Sequence, residues 1–518
     1  MNGAQSLVKT LLACKVDVCF TNPGTSEMHF VAALDTIPGM RCVLGLFEGV
    51  VTGAADGYAR MSGGPAATLL HLGPGLGNGF ANVHNARKAR SPMVNIVGEH
   101  AGYHLQYETP LKSDIAMIAG ACSDWVHTSR EARTVATDAA RAVANARAGG
   151  RIATLILPAD TAWNEADGVA DPIATPALPA VDPERIVAAA RILKTYGARS
   201  TLMMTGAPLI EPGLSLAARI AAATGCRLLA QQSNARMSRG RGHIDVARVP
   251  YSVPQALAQL ADIDHLVLLG ANPPASFFAY PGQPNLMSPA HCETFELAGR
   301  DHDAAATLQA LADELDAARI VLPKMADPQP MTVPEGGGEL TGDTLMQTVM
   351  ALLPESAVLC DESVSTGRHL FKYSGRANPH DYLQITGGAI GIGSPLAAGA
   401  AIGSPGRKVF SLQADGSTMY TLQGLWTQAR EQLDVCTIIL ANRAYRILQG
   451  ELKAVGIDTP GERAQQMLNL TNPELDWVSL ARGMGVPAQR VDTVSDLARA
   501  IRAALDSSGP RLIEAMIP

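Results

Sequence analysis

Short, almost wholly apolar runs alternate with helical segments three times along this chain, and no other feature limits its architecture as strongly. The first third carries VDVCFTN (16–22), RCVLGLFE (41–48), AATLLHL (66–72), MVNIVGE (93–99) and RIATLILP (151–158). A strand with one face in water alternates apolar with polar residues. Runs as uniform as these predict strands covered on both faces, as in a parallel sheet. The theme returns with TLMMTGA, CRLLAQQ, HLVLLGAN and ETFELAG, and again with AVLCDES, KVFSLQADG, VCTIILAN and RLIEAMI. Two stretches break it: residues 164–184 and 322–342 are rich in Pro, Ala and Gly, lack apolar periodicity and read as linkers. The expected fold is α/β, with three open, mainly parallel, doubly wound domains over residues 1–165, 183–325 and 343–518. A chain of 518 residues is in any case too long for one hydrophobic core.

Composition narrows the function classes. Hydrophobic residues make up 47% and charged residues 17%, which suits a well-buried protein with surface hidden between subunits. The net charge of -7 has no clustered basic stripe behind it, so a nucleic-acid partner is not expected. No apolar run reaches the ~18 residues of a membrane span, and the N-terminus lacks a signal-peptide core, so a cytoplasmic location is expected. The eight cysteines are scattered without CxxC pairs, which argues for reduced core residues and against zinc or a disulfide framework.

In open α/β sheets, ligands sit beyond the carboxyl ends of strands. Ala414-Asp415-Gly416-Ser417 closes one such run and Asn442 closes the next. Twenty-five residues lie between Gly416 and Asn442, enough for one helix (about 418–431) and a return strand. That crossover sets the two strand ends side by side. A carboxylate, an amide oxygen and a backbone carbonyl there form a hard, all-oxygen site that suits magnesium. Gly416 permits a close turn, and the following helix start favours a diphosphate. An Asp-Gly turn with a capped strand end is the plainer alternative.

From 407 to 445 the chain resembles the cofactor signature of thiamine-diphosphate enzymes, and DGSTMYTLQGLWTQAREQLDVCTIILANRAY is similar to the benzoylformate decarboxylase and acetolactate synthase branch. One departure is Ala414, where the family has the first glycine of its GDG motif. The resemblance implies thiamine diphosphate and Mg2+ as cofactors, with Asp415, Asn442 and the backbone oxygen of Ala444 as metal ligands and Gly416 and Ser417 beside the diphosphate. Asp361-Glu362-Ser363-Val364-Ser365-Thr366 is similar to a segment that helps hold the diphosphate, with Ser365 as candidate; an ordinary helix cap is the alternative. Gly387-Gly388-Ala389-Ile390-Gly391 matches the segment under the cofactor, where Ile390 would force a bent cofactor shape, or it is a packing turn.

Glu48 ends an apolar run before the small-residue segment GVVTGAADGYARMSG. It reads as a helix N-terminal charge, or as a carboxylate buried for a purpose. The string from Glu48 to Arg60 resembles the family's pyrimidine-activating segment. In that role Glu48 hydrogen-bonds N1′ of the aminopyrimidine and so promotes loss of the thiazolium C2 proton. In the family this Glu and the metal site come from different chains, which implies a homodimer as minimal active unit and a homotetramer as the expected assembly.

Asn22-Pro23-Gly24-Thr25-Ser26-Glu27 makes a sound turn and resembles the loop that reaches the substrate carboxylate, with Thr25 at the usual serine position. His71 falls where the branch places a proton-transfer histidine; a packed or capping histidine is the alternative. Glycines 73, 75, 77 and 79 mimic a nucleotide loop but read as close packing near the cofactor. The family's second histidine is missing, and the stretch 268–284 offers Phe277 and Phe278 instead. Beyond the metal site Leu448 and Glu451 complete the expected substrate pocket, with Glu451 either meeting a polar or cationic group or facing solvent. His100 and His104 are spare acid–base candidates or loop histidines. In the middle domain, where some relatives hold FAD or a nucleotide, Gly206-Ala207-Pro208 and the basic loop 234–243 read as a flanking loop before a phosphate site.

The resemblance implies a non-oxidative 2-oxo-acid decarboxylase: ylide attack, loss of carbon dioxide, protonation of the enamine and release of an aldehyde. The alternatives are an acetolactate synthase-like carboligase, in which the enamine meets a second carbonyl, and a non-catalytic cofactor-binding subunit.

Overall fold

Each of the three apolar series forms its own sheet. The computed structural model describes residues 1–322, 329–335 and 338–518; parts of the expected linker 322–342 lie outside the described residues. The first sheet is wholly parallel, in the order Arg41–Leu44, Val18–Thr21, Ala66–Leu70, Met93–Glu99, Ile152–Pro158, Trp125–Thr128. The second runs Ala247–Arg248, Arg227–Ala230, Ser200–Met204, His265–Leu269, Glu293–Ala298, also parallel. The third runs Ala488–Val491, Arg511–Met516, Val435–Ala441, Val409–Ala414, Ala357–Glu362, His380–Gln384, Met237–Arg239. Its last strand comes from the middle third of the chain and pairs antiparallel with His380–Gln384. No helix among the described residues is long and apolar enough to cross a membrane.

Strands that escaped the apolar-run criterion have specific reasons for their polarity. His380–Gln384 is buried along its whole length, yet its Asp381 pairs with Arg236 (2.6 Å) and Arg407 (2.8 Å), and the Tyr382 hydroxyl donates to Asp361 Oδ2 (2.7 Å). Polar atoms satisfied inside the protein cost little to bury. Trp125–Thr128 and Ala488–Val491 lie at sheet edges and stay partly in water. The single helix expected over 418–431 is broken into Asp415–Thr418, a 3-10 turn at Met419–Thr421 and Gln423–Arg430.

The first and third units share a core. Helix Glu48–Ser62 crosses helix Gly393–Gly403 so closely that a methyl on Gly57 would strike the Leu396 carbonyl, and one on Gly399 the Ala54 carbonyl. Small residues on both helices let the backbones touch. Val51, Ala55, Leu396 and Ala397 pack there in one apolar cluster. Thr427 Oγ1 donates to the Leu44 carbonyl (3.0 Å), and Arg41 pairs with Glu431 (2.9 Å), so the third unit grips the strand end that leads to Glu48.

Candidate active site

Strand Arg41–Leu44 ends, Phe47 stays extended, and Glu48 becomes the first residue of the next helix, only 6% exposed. Negative charge is favoured at that position by the unpaired amides of the first turn. Glu48 Oε2 accepts from Asn78 Nδ2 (3.0 Å), while Oε1 accepts no hydrogen bond among the described residues. Side chains on Gly73, Gly75 and Gly79 would crowd Ser113, Glu48 and Thr52, whereas Gly77 faces open space. The glycine series is thus packing around Glu48, with one spare member.

His71 follows strand Ala66–Leu70 and caps helix Leu72–Ala89; Leu72 takes the left-handed conformation (φ 50), uncommon for such a residue. The sheet places the Asn22–Glu27 turn beside it, because Val18–Thr21 is the neighbouring strand. His71 Nδ1 lies 2.9 Å from Glu27 Oε2. The buried Glu27 also accepts from the Gly24 amide (2.9 Å) and from Ser26 Oγ (2.8 Å). With Nδ1 on a carboxylate, Nε2 is the ring nitrogen left for other chemistry. Thr25 opens the short 3-10 helix and is exposed. Glu27 had passed as part of a turn in the sequence; only the fold shows that it faces a histidine 44 residues away.

A methyl on Gly24 would collide with the His71 imidazole. Gly24→Ala is therefore expected to break the Glu27–His71 pair. The shift of the His71 ring nitrogens by NMR should move toward that of Glu27→Gln; an unchanged spectrum would refute the pairing.

At the other end, Asp415 begins its short helix and is 2% exposed. Its Oδ1 accepts from the Gly416 amide (2.8 Å) and its Oδ2 from the Arg443 amide (2.6 Å). Burial pushes the Asp415 carboxyl up, and those amides oppose it. Asn442 donates to Thr366 Oγ1 (3.1 Å), next to Ser365, and its Oδ1 accepts from the Ala444 amide (3.0 Å). The Ala444 carbonyl accepts no hydrogen bond among the described residues. Asp415, Ser417, Asn442 and Ala444 therefore gather at neighbouring strand ends, where each carboxylate and amide oxygen accepts one hydrogen bond and keeps a second acceptor site. Among the described residues no group of three or more His, Cys, Asp and Glu forms a metal cluster. A hard divalent cation such as magnesium fits this oxygen set, and it would offset the buried charge of Asp415.

Loop 387–391 needs its glycines, since Gly388 (φ 77) and Gly391 (φ 94) are left-handed. Asn85 accepts from the Gly387 (3.1 Å) and Ala389 (3.3 Å) amides and donates to the Ala389 carbonyl (2.7 Å). Glu362, at the end of its strand, accepts from the amides of Gly391 (2.6 Å), Ile392 (3.4 Å) and Gly393 (2.7 Å). Burial pushes the Glu362 carboxyl up to about 7, against the pull of those three N–H groups. Asn82 bonds the Gly49 carbonyl (2.7 Å) and accepts from Asn85 (3.0 Å). One hydrogen-bonded path thus runs from the start of the Glu48 helix to the loop that carries Ile390.

The pocket candidates fall on other elements. Phe277 and Phe278 are 44% and 55% exposed, their rings 4.9 Å apart, and a side chain on Gly388 would meet Phe277 Cζ at 2.8 Å. Leu448 and Glu451 ride on helix Arg446–Ala454, none of whose residues is buried. Glu451 does not face solvent freely: it accepts from Tyr251 (2.9 Å) and Tyr280 (2.8 Å). No hydrogen bond, ion pair or ring contact among the described residues joins Glu48, Thr25 or His71 to Asp415, Phe277, Phe278, Leu448 or Glu451. His100 meets Thr109 (3.1 Å) and His104 (ring centroids 5.8 Å); burial, then His104 and His71, lower its pKa. In the basic loop 234–243, Arg236, Arg239 and Arg241 already bond Asp381, Asp245 and Asn378.

Residues 1–117 match the family described as thiamine pyrophosphate enzyme, N-terminal TPP binding domain, and residues 365–515 match its C-terminal TPP binding domain. The Mycobacterium tuberculosis protein IlvX, provisionally named an acetolactate synthase large subunit, is 50% identical, covering 100% of this chain and 99% of that protein. Benzoylformate decarboxylase of Pseudomonas aeruginosa is 28% identical, over 96% and 95% of the two chains. In fold, the chain is similar to the thiamine diphosphate-dependent 4-hydroxybenzoylformate decarboxylase of Rhodococcus jostii, with a TM-score of 0.85, 24% identity and coverage of 100% and 99%.

Proposed function

Since the chain belongs to the thiamine pyrophosphate enzyme family, in the branch with decarboxylases and acetolactate synthases, we propose that it is a non-oxidative decarboxylase of a small 2-oxo acid. On this reading residues 1–165 bind the pyrimidine, 183–325 form the central domain and 343–518 bind diphosphate and Mg2+.

Bound thiamine diphosphate supplies a carbon nucleophile and an electron sink. The protein supplies the rest. Asp415, Asn442 Oδ1 and the Ala444 carbonyl would hold the metal. Gly416, Ser417 and Ser365 would surround the diphosphate, and Gly388 and Ile390 would form the seat beneath the cofactor. Glu48, with Oε1 open, holds a proton at pyrimidine N1′. Thr25 donates to the substrate carboxylate. Glu27 fixes the tautomer of His71, whose Nε2 returns a proton to the carbon that loses carbon dioxide. That Glu27–His71 pair carries the reading, because proton return is the step a decarboxylase needs and a carboligase avoids.

Among the described residues no hydrogen bond or ion pair joins Glu48 to Asp415 within one chain, which favours a homodimer as the smallest active unit, with a homotetramer as the assembly in a cytoplasmic setting. The test is carbon dioxide release and aldehyde formation from a panel of aromatic, aliphatic and basic 2-oxo acids. Asp415→Ala is expected to lower magnesium-dependent uptake of thiamine diphosphate at least ~100-fold, since a ligand and a buried charge vanish together. Uptake that ignores both magnesium and Asp415 would end the reading. The name of the 50% identical relative favours a second reading, a carboligase. An acetohydroxy acid or acyloin as main product would select it.

A further inference from the structure

We propose that Glu451 is a positioning residue: a carboxylate clamped between the phenols of Tyr251 and Tyr280 that fixes helix Arg446–Ala454 against the central domain. The pocket whose wall it fixes is that of the function proposed above; the clamp itself is read from geometry alone.

The helix has little else to hold it. None of its residues is buried, and Leu448 is 44% exposed. Its start is anchored at the turn of Asn442 and Ala444, with the Tyr445 amide on the Leu468 carbonyl (2.9 Å). Near that start, Arg446 donates to the Pro518 carbonyl (2.7 Å). Farther along, the side-chain hydrogen bonds to the central domain among the described residues are the two to Glu451, from Tyr251 (2.9 Å) and Tyr280 (2.8 Å). Each oxygen of the carboxylate takes one phenol, so the group is held from two sides. Charged acceptors make the stronger hydrogen bonds, and two from separate loops fix direction as well as distance.

The clamp also reaches the aromatic wall. The Tyr251 ring sits 5.4 Å from that of Phe277, tilted by 46°; Phe277 abuts Gly388, and Arg368 lies 5.5 Å over the Tyr251 ring. Tyr251 and Arg368 also line a cavity of about 350 Å³, together with Tyr280, Ser365, Arg446 and Glu451. Burial and the neighbouring carboxylate hold both phenols above their ordinary range, so they remain donors. Leu448, Phe277 and the cavity wall thereby move as one body with the central domain.

The experiment compares the wild-type enzyme with Tyr251→Phe/Tyr280→Phe, Glu451→Ala and Glu451→Gln. Amide hydrogen exchange over 446–454 should speed up about tenfold in the double-Phe and Ala variants, matching the loss of hydrogen bonds to a charged group. KM for the accepted 2-oxo acid should rise about tenfold, while kcat changes less than threefold. Glu451→Ala in the double-Phe background should add nothing, and Glu451→Gln, which still accepts one phenol and donates to the other, should restore most of both. Unchanged exchange in the double-Phe variant would overturn the clamp. So would a Gln variant whose kcat falls tenfold or more while its exchange stays normal, because Glu451 would then touch the reacting molecule. If the wild type releases no carbon dioxide from any 2-oxo acid, the decarboxylase reading fails, and the exchange result still decides the clamp.

Discussion

Glu48→Gln is expected to slow exchange of the thiazolium C2 proton of bound thiamine diphosphate by about 10³-fold, within the range for a positioned acid–base group. The size follows from what the substitution leaves alone. Gln has the shape of Glu, so the hydrogen bond from Asn78 at 3.0 Å can persist and the helix start is not disturbed. What vanishes is a carboxylate oxygen in a nearly buried place, 6% exposed. Affinity for the cofactor should therefore change less than about threefold, since the diphosphate end is untouched. Quenched-exchange NMR on wild type and variant measures the effect. Exchange equally fast in both would remove Glu48 from the chemistry.

Glu362→Ala is expected to be the most damaging substitution outside the cofactor contacts. Three amides, those of Gly391, Ile392 and Gly393, would lose their acceptor in a dry interior. Each unsatisfied group costs ~1–3 kcal/mol, so the loop that carries Ile390 should detach and cofactor uptake should fall at least ~100-fold. Glu362→Gln keeps an acceptor and should retain the fold. It also isolates a pH effect. The folded-state value of about 7 stands above the ordinary 4.5, so the folded protein binds this proton more tightly than the unfolded chain. The contribution to stability is then fully present below about 4.5 and is lost as pH rises through about 7. The thermal midpoint of wild type relative to Glu362→Gln should fall between pH 5 and 8. His380, lowered to about 4 by burial, gives the opposite slope on the acid side, and the comparison cancels it. A difference that stays flat with pH would show that Glu362 keeps one protonation state throughout.

How much was legible beforehand differs by residue for a physical reason. The approach of Asp415 to the 442–444 turn was readable, because one crossover between adjacent parallel strands dictates it. The approach of His71 to the Asn22–Glu27 turn was less so: it depends on which strands neighbour each other, and residues 27 and 71 pair only because Val18–Thr21 lies beside Ala66–Leu70. The roles of Asn85, Glu362, Tyr251 and Tyr280 are not readable from the sequence, although Glu362 sits in the segment around Ser365 and Tyr280 in the stretch 268–284. Their partners lie far off in sequence, as for Asn85 with Ala389 and Tyr280 with Glu451, and a polar residue advertises nothing about a distant acceptor. The edge strand Met237–Arg239 escaped for the same reason, being three residues long and paired with another unit's sheet.

Sequence alone determined the quantities that local chemistry controls. These are three series of doubly covered strands, small residues where helices must cross, and hard oxygen donors at the ends of successive strands. Tertiary structure alone decided which distant groups complete them: the carboxylate behind His71, the one beneath the glycine loop, and the two phenols on Glu451. Periodicity reports how a residue meets solvent, whereas a hydrogen-bond partner is chosen by chain crossings that only the assembled sheets define.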